Sequence, residues 1–499
     1  MRLIMRASRQ RFVQVKLGFV SVAALLCLSN PVKLAAQPPA PENPSPAGQP
    51  STTTPAGQPS TTTPAQPSGS PATIALPTVS VQGGQAKRRP QPKRTTVATR
   101  AVTPVPTTPT SASGEGQAAP SYQAAQPGVG RLPSSLINTP QSVNVVTRQV
   151  IQEQNSGSVR DALQNVAGIT FRAGEGGNQG DTPYIRGFQS NNDIFRDGVR
   201  DPGWYTRDTF GIDAVEVYKG PSSILFGRGS TGGVVNLVTR TPVDRTYNEA
   251  TITANTGPGV RGQVDSNYTF GDGAAARLLT MGQLYDIAGR DHVEQNRWGV
   301  APSLKFKATE QTKVTLSYIH QHDDSIPDYG IPFLTPAWGV PRYPAPVARN
   351  TWYGILSGPL PDTEKVDADI ATAKIEHDFN KNLKVTNTTR YTHVDRLQRN
   401  VYPEQATVPP PPDLDKNWTP ARAQVFVKNT LLANQTDVRA SFQTGMLDHT
   451  VATGLDLIQE KRDFLRNAFA GQGATNFLNP DPWRAGGVPL PPPRQTSAQ

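Results

Sequence analysis

Cysteine is almost absent from this sequence: the 499 residues contain one, Cys27. It lies in an apolar run, Leu17–Leu28, behind Arg2, Arg6, Arg9, Arg11 and Lys16 and ahead of the small residues Ala35 and Ala36. A basic start, a short apolar stretch and a small-residue exit describe a secretory signal peptide over residues 1–36, cleaved near Ala36–Gln37. The apolar run is too short to cross a bilayer as a helix. The mature chain then has no cysteine, which excludes disulfides and thiolate metal sites. Folded-surface charge is lacking too. The formal net charge is +10, but residues 1–36 carry six basic groups and no acid, and residues 37–130 carry a net +4, so residues 131–499 are neutral. No basic stripe or basic–aromatic patch of the kind that binds nucleic acid is present. No nucleophile–base pair or carboxylate dyad stands out, so an enzyme reading has no support and no cofactor is called for.

What is abundant is proline and glycine, 48 and 43 residues, unevenly spread. Residues 37–130 are rich in Pro, Ser, Thr, Ala and Gln and hold an exact duplication, "PAGQPSTTT" at 46–54 and 55–63. Such a segment buries too little apolar surface to offset backbone ordering and reads as a disordered tether. One β-prone island interrupts it, "LPTVSV" at Leu76–Val81, a candidate for adding as a strand to a partner's sheet edge.

From residue 131 the texture becomes compact. "QSVNVVT" alternates as a strand. Ser158 and Asp161 give an S-x-x-D start to a short helix running to Val166. Asp197–Gly198 in "FRDGVR" predicts a hairpin turn. "DAVEVYKG" and "GGVVNLVT" close a small α/β domain over 131–242. Residues 243–499 are almost all strand, in alternating stretches of nine to eleven residues such as "KVTLSYIHQH", where Val314, Leu316 and Tyr318 share one face and Thr315 and Ser317 the other. A membrane barrel with an aqueous lumen and a soluble sandwich both show this alternation. The export signal and the small domain favour the barrel.

Gly227, Gly229 and Gly232 have the G-x-G-x-x-G spacing of a dinucleotide loop. That loop must open a helix whose amides hold the pyrophosphate. Here "VVNLVT" follows, a strand-forming run, and no lysine completes a phosphate loop. Nucleotide binding is rejected, and the glycines are read as permitting sharp turns under close packing. "HQHDD", at His320, His322, Asp323 and Asp324, has strand spacing that would let two histidines chelate; a polar strand end is the competing reading.

"VEVYKGPSSILFGRGSTGGVVNLVTRTP" (215–242), with "PQSVNVVTRQVI", "SVRDALQNVAGI", "PYIRGF" and "FRDGVRD" upstream, resembles the plug domain of TonB-dependent outer-membrane receptors. "DDSIPDYGIPF" and "NQTDVRASFQTGMLDHTVATGLDL" resemble barrel segments of the siderophore-receptor branch. The resemblance implies a mainly β fold: a small α/β plug followed by a transmembrane antiparallel β-barrel in the cell outer membrane, embedded in its lipid. It implies a receptor that binds a ferric siderophore and imports it with energy from TonB, not an enzyme. Leu76, Pro77, Thr78, Val79, Ser80 and Val81 are then the TonB box. Arg186, Gly187, Gly220, Pro221, Gly227, Gly229, Gly232 and Gly233 are plug motif positions, with Arg186 expected to pair with acids inside the plug. Arg200, Trp204, Tyr205 and Arg207, in the loop 200–208, are candidate ligand contacts, packing on an organic siderophore and offsetting its charge, with loop packing the alternative for Trp204 and Tyr205. "AGEGGNQGD" (173–181) is a second candidate loop. Haem, cobalamin or an oligosaccharide is the alternative cargo, and a non-transporting plug-containing binding module the alternative class.

Plugged outer-membrane transporters have 22 strands. The residues after Pro242 provide roughly ten to twelve at about 20–25 residues per strand and connection. The expectation is therefore an incomplete barrel, from a fragment or a truncated product, with open edges that lipid does not tolerate.

Overall fold

The computed structural model describes residues 121–491 except 125, 132–134, 173–179, 228–230, 272, 335–342 and 403–414. The signal segment, the tether and the Leu76–Val81 island lie outside the described residues, as does most of the 173–181 loop.

The small domain is built from β1 (Ser142–Thr147), α1 (Arg148–Glu153), α2 (Val159–Leu163), β2 (Ile169–Phe171), β3 (Pro183–Ile185), β4 (Phe188–Gln189), β5 (Ile194–Arg196), β6 (Val199–Arg200), β7 (Ile212–Lys219), α3 (Ser223–Phe226) and β8 (Gly233–Thr239). A five-stranded sheet runs in the order β1-β7-β8-β5-β6, and β2-β3-β4 form a second. Alternate residues of β1 and β7 supply Val146, Val215 and Val217. These pack with Ile151, Val159, Leu163, Ile185 and Leu237 in one core. Helix α2 starts as its sequence requires: Ser158 and Asp161 form a reciprocal capping box. It is shorter than the alternation to Val166 implied, ending at Leu163. Asp197 (φ 49°) and Gly198 (φ 82°) turn the β5–β6 hairpin in the left-handed region, the geometry of a type I′ turn.

The glycine run turns into a strand, β8, not a helix. Two of its glycines are dictated by contact. A Cβ on Gly232 would stand 2.4 Å from the Ile185 carbonyl oxygen, and one on Gly233 2.2 Å from that of Tyr218. No side chain fits there.

The rest of the chain is a wall: β9 (Tyr247–Asn255), β10 (Gly259–Thr269), β11 (Ala275–Asp286), β12 (Glu294–Thr309), β13 (Thr312–Ser325), the paired two-residue strands β14 (Phe333–Leu334) and β15 (Tyr343–Pro344), then β16 (Thr363–Asn380), β17 (Leu383–Tyr402), β18 (Asn417–Trp418), β19 (Ala421–Thr444), β20 (Leu447–Gln472), β21 (Thr475–Asn476) and β22 (Gly486–Pro489). Ten of them pair antiparallel in one sheet, with β9 and β22 at its edges. Several strands are far longer than the nine to eleven residues expected, with 20 in β17, 24 in β19 and 26 in β20. The alternation continues past the apolar stretch in polar residues, which a search for apolar alternation does not count. From β11 onward the connections alternate in length: Glu310–Gln311, Lys381–Asn382 and Gly445–Met446 are tight, whereas residues 287–293, 326–362 and 403–420 are longer. In a membrane barrel the short turns face the periplasm and the longer loops the exterior.

The sheet is inside-out relative to a soluble protein. On β13, Leu316 is 42% exposed, while Thr315, Gln321 and Asp323 are buried. The same holds for exposed Val260, Leu278 and Leu304 against buried Arg261, Arg277 and Lys305. An apolar outer face and a polar, occupied inner face exclude the sandwich and fit a barrel wall in lipid.

If the outer face meets lipid, Leu316→Arg should cost about 2–4 kcal/mol of folding stability in lipid vesicles. The inward Ser317→Thr should change it by less than about 0.5 kcal/mol. Urea titration of the full-length receptor folded into vesicles measures both, and equal effects would contradict the orientation.

Candidate functional site

The small domain and the wall meet through buried charge. Asp208, in the loop after β6, accepts two hydrogen bonds from Arg261 of β10, at 2.6 and 2.8 Å, and one from Arg297 of β12 at 3.1 Å. Its side chain is fully shielded from solvent. The Asp208 amide donates to Gln321 of β13 and the Phe210 amide donates back to Asp208. Arg297 is also paired with Asp323. Two residues on, Phe210 enters an apolar pocket of the wall formed by Leu279, Met281, Ala301, Ile319 and Ile370. Gly299 leaves room for its ring, since a Cβ there would stand 2.8 Å away. A second bridge joins Arg390 of β17 to Asp197 at 2.9 Å. Burial alone raises the Asp208 pKa, but Arg261 and Arg297 outweigh it and hold the carboxyl below its ordinary value.

The four candidate contacts of the 200–208 loop separate into two pairs. Arg207 is 1% exposed, bonded to Asp201 at 3.2 Å, 3.5 Å from Asp181, and stacked 4.3 Å from the Tyr205 ring centroid. Tyr205 donates to Asp201 and packs on Val366, Ala368 and Val394. Both point inward because the loop closes around Asp201, so in this structure both serve the packing of the loop. Arg207 and Arg196 hold Asp201 below its ordinary pKa although burial opposes them.

Arg200 and Trp204 turn the other way, toward β20. Arg200 lies 3.5 Å from Glu460. The Arg462 guanidinium sits 3.8 Å over the Trp204 ring, and Phe464 approaches its edge at 6.0 Å. Arg466 lies 5.5 Å over Tyr402. Glu460, Arg462, Phe464 and Arg466 alternate along one face of β20. The outcome is a basic, aromatic ledge in the outer half of the lumen, remote from the tight 445–446 turn. An arginine held beside aromatic rings can offset negative charge while the rings pack an aromatic group. Arg462 and Arg466 escaped the sequence reading; the period-two run Glu460-Arg462-Phe464-Arg466 was the available signal.

A separate cavity of about 480 Å³ is lined by Arg160, Asp161, Glu294, Asp328 and Glu364 among others. Two of its arginines, Arg261 and Arg297, are those bound to Asp208. Its remaining charge is largely acidic and does not complement an anion, and none of the four candidate residues lines it.

The remaining expectations fall as follows. Arg186 (φ 53°) and Gly187 (φ 86°) form the β3–β4 turn. That position projects the Arg186 side chain into solvent, so the expected pairing with buried acids is not found among the described residues. Gly220 and Gly227 have positive φ, Pro221 follows at the entry to α3, and Gly229 lies outside the described residues. His320 and His322 do not converge on an ion. They are hydrogen-bonded with Asp369 and Asp367 of β16, at 2.8 and 2.7 Å, and flank the Trp298 ring on the outer face.

Residues 135–234 match the family model of the TonB-dependent Receptor Plug Domain. The chain is 37% identical over 347 residues to the Probable TonB-dependent receptor BfrD of Bordetella pertussis, covering 68% of this chain and 46% of that protein. It is 34% identical over 363 residues to the Catecholate siderophore receptor Fiu of Escherichia coli K12, covering 69% and 47%. Among solved structures, the closed form of the Ferric-Catecholate import receptor Fiu from E. coli K12 superposes with a TM-score of 0.65 at 32% identity, covering 74% of this chain and 53% of that one. The siderophore receptor PiuA from Acinetobacter baumannii gives 0.64 at 30%, covering 71% and 51%. The chain spans about half the length of the curated relatives it matches.

Asp208→Asn should cost about 3–5 kcal/mol by leaving Arg261 buried without its counter-charge, read as a lower denaturant midpoint for release of the small domain. Because the folded-state pKa of Asp208 is depressed, its contribution is complete above about pH 4 and declines only as pH falls through the lower folded value. The protection lost on Asp208→Asn, taken as the difference between the parent and variant full-length receptor, should therefore be constant from pH 7 to 5; a difference that changes through a midpoint in that range would contradict the assignment.

Proposed function

We propose, from the premise that this chain belongs to the TonB-dependent receptors, that it is an outer-membrane receptor which binds a ferric siderophore at the cell exterior and imports it into the periplasm with energy from TonB. The basic, aromatic ledge of Arg200, Trp204 and Arg462 carries the reading. Its members come from both the plug and the wall. A cargo seated there touches the part that moves and the part that stays, which is what coupled import requires.

The chemistry favours an anionic, aromatic chelate, a ferric catecholate. Trp204 and Phe464 offer ring faces and edges, and Arg462 and Arg200 offset negative charge. The relatives named above as catecholate receptors support the same class. The iron is cargo, already wrapped by its organic ligand, so the plug's own acids are not needed to hold it. In this reading Leu76–Val81 is the TonB box, adding as a strand to the partner's sheet edge, and the tether gives it reach. Force applied there enters the plug through its first residues and works against the Asp208 and Asp197 bridges to the wall.

Two measurements on the full-length receptor check the reading. Trp204→Ala or Arg462→Ala should weaken binding of iron complexed by dihydroxybenzoate roughly 2–30-fold, the range of a partly desolvated cation–π contact. Unchanged affinity in both variants would contradict the ledge. Deleting residues 76–81 should abolish uptake in cells while leaving surface binding intact, and unchanged uptake would overturn energised import.

A further inference from the structure

On the side of the tight turns, a second cavity of about 400 Å³ lies between the plug and the wall strands β13 to β20. Its roof is the stretch 127–131 and the Asp197 turn of the plug. Its wall carries hydroxyls, Thr315, Ser317, Thr372, Thr386 and Thr388, and the cations Lys374, Lys384, Arg390 and Arg439. The acids lining it are Asp197, Glu376 and Asp437. Asp197 is taken up by Arg390 and Asp437 by Arg131, and Glu376 is shared by Lys374 at 3.3 Å and Lys384 at 3.1 Å, so one carboxylate faces two ammonium groups. A polar pocket with surplus positive charge suits a multiply anionic, oxygen-rich solute.

The stretch 127–131 is fastened on both sides. The Gly128 amide donates to Glu216 of β7 at 2.5 Å, and Gly128 is pressed so closely on Val238 that a Cβ would stand 2.5 Å from it. Arg131 reaches the wall: Nε donates to Asp437 of β19 at 2.5 Å, and Nη1 to Asp456 of β20 at 2.9 Å and to the Leu225 carbonyl at 3.2 Å. Upstream, Tyr122 bonds to Glu153 of the plug. Entering from the N-terminal side, Arg131 is thus the first described side chain bonded to both plug and wall.

We infer that this inner cavity is a second cargo site, for an anionic iron chelate leaving toward the periplasm, closed in the resting protein by residues 127–131 with Arg131 as the clasp. The inference rests on the import reading above. Tension from the N-terminal side extracts Arg131 from Asp437 and Asp456, lifts the strap from Val238 and opens the basic wall of Lys374 and Lys384. The two freed carboxylates stay on the wall beside the opening, so the strap can rebind when tension ends.

A single introduced cysteine gives a direct test. In full-length receptor carrying Thr386→Cys as its one cysteine, any other being replaced by alanine, and held in lipid nanodiscs, a bulky hydrophilic maleimide should label the cavity wall slowly. Arg131→Met should raise that rate at least tenfold, and Arg131→Lys should leave it near the parent; an unchanged rate with Arg131→Met overturns the clasp. For the site, Lys374→Gln with Lys384→Gln should cut uptake of radiolabelled iron complexed by dihydroxybenzoate several-fold with surface binding unchanged, and arginine at both positions should restore it. Full uptake by the double glutamine variant overturns the inner site while the import reading stands. Failure of the parent receptor to bind or take up the probe would instead count against the import reading.

Discussion

Asp208 is the point on which the structure turns. It belongs to the plug, its partners Arg261 and Arg297 belong to the wall, and all three side chains are buried, the carboxylate completely. A buried carboxylate without counter-charge is costly, and a buried guanidinium equally so. Neither half of the molecule can therefore present these side chains alone without penalty. The pairing need not add much net stability over an apolar contact of the same shape. What it adds is specificity: the plug seats in one position, with Phe210 in its pocket and the 200–208 loop held so that Arg200 and Trp204 face β20.

The inside-out sheet follows from the same constraint. A wall whose inner face carries Arg261, Arg277, Arg297 and Arg390 is stable only around a polar body that answers those charges, and whose outer face meets lipid. The plug supplies Asp208 and Asp197 for Arg261, Arg297 and Arg390, and the wall's own Asp265 answers Arg277. Charge left over is then informative. It is basic at the outer ledge, around Arg462, and basic again at the inner cavity, around Lys374 and Lys384, with the plug's bridges between. An anionic cargo would find favourable charge at both ends of its path and an obstruction in the middle, which suits a gated importer.

Much of the fold was legible in the sequence where the signal is local. The Ser158–Asp161 box, the Asp197–Gly198 turn, the strand after Gly233 and the alternation from Val314 to Tyr318 all depend on neighbours a few residues apart. The glycine run also yielded to local logic, since a strand after it removes the helix that a nucleotide loop needs. Strand lengths did not, because β17, β19 and β20 continue in polar residues past the apolar stretch. β16 carries little local signal because charged residues sit on both of its faces, and in β12 the proline Pro302 interrupts the strand-like run. Residue roles were least legible. Arg207 and Arg200 look alike in sequence, and only closure of the loop around Asp201 sends one inward and leaves the other toward β20. Asp208 drew no notice because its partners lie 53 and 89 residues away.

The seating of the plug stands or falls on that buried pairing. A double-mutant cycle on Asp208→Asn and Arg261→Gln in the full-length receptor, read by denaturant unfolding of the plug, isolates the coupling from other effects of each substitution. The structure predicts a coupling energy above about 1 kcal/mol, toward the upper part of the range for contacting charged residues. Additive effects, with coupling near zero, would mean that the plug is held by something else.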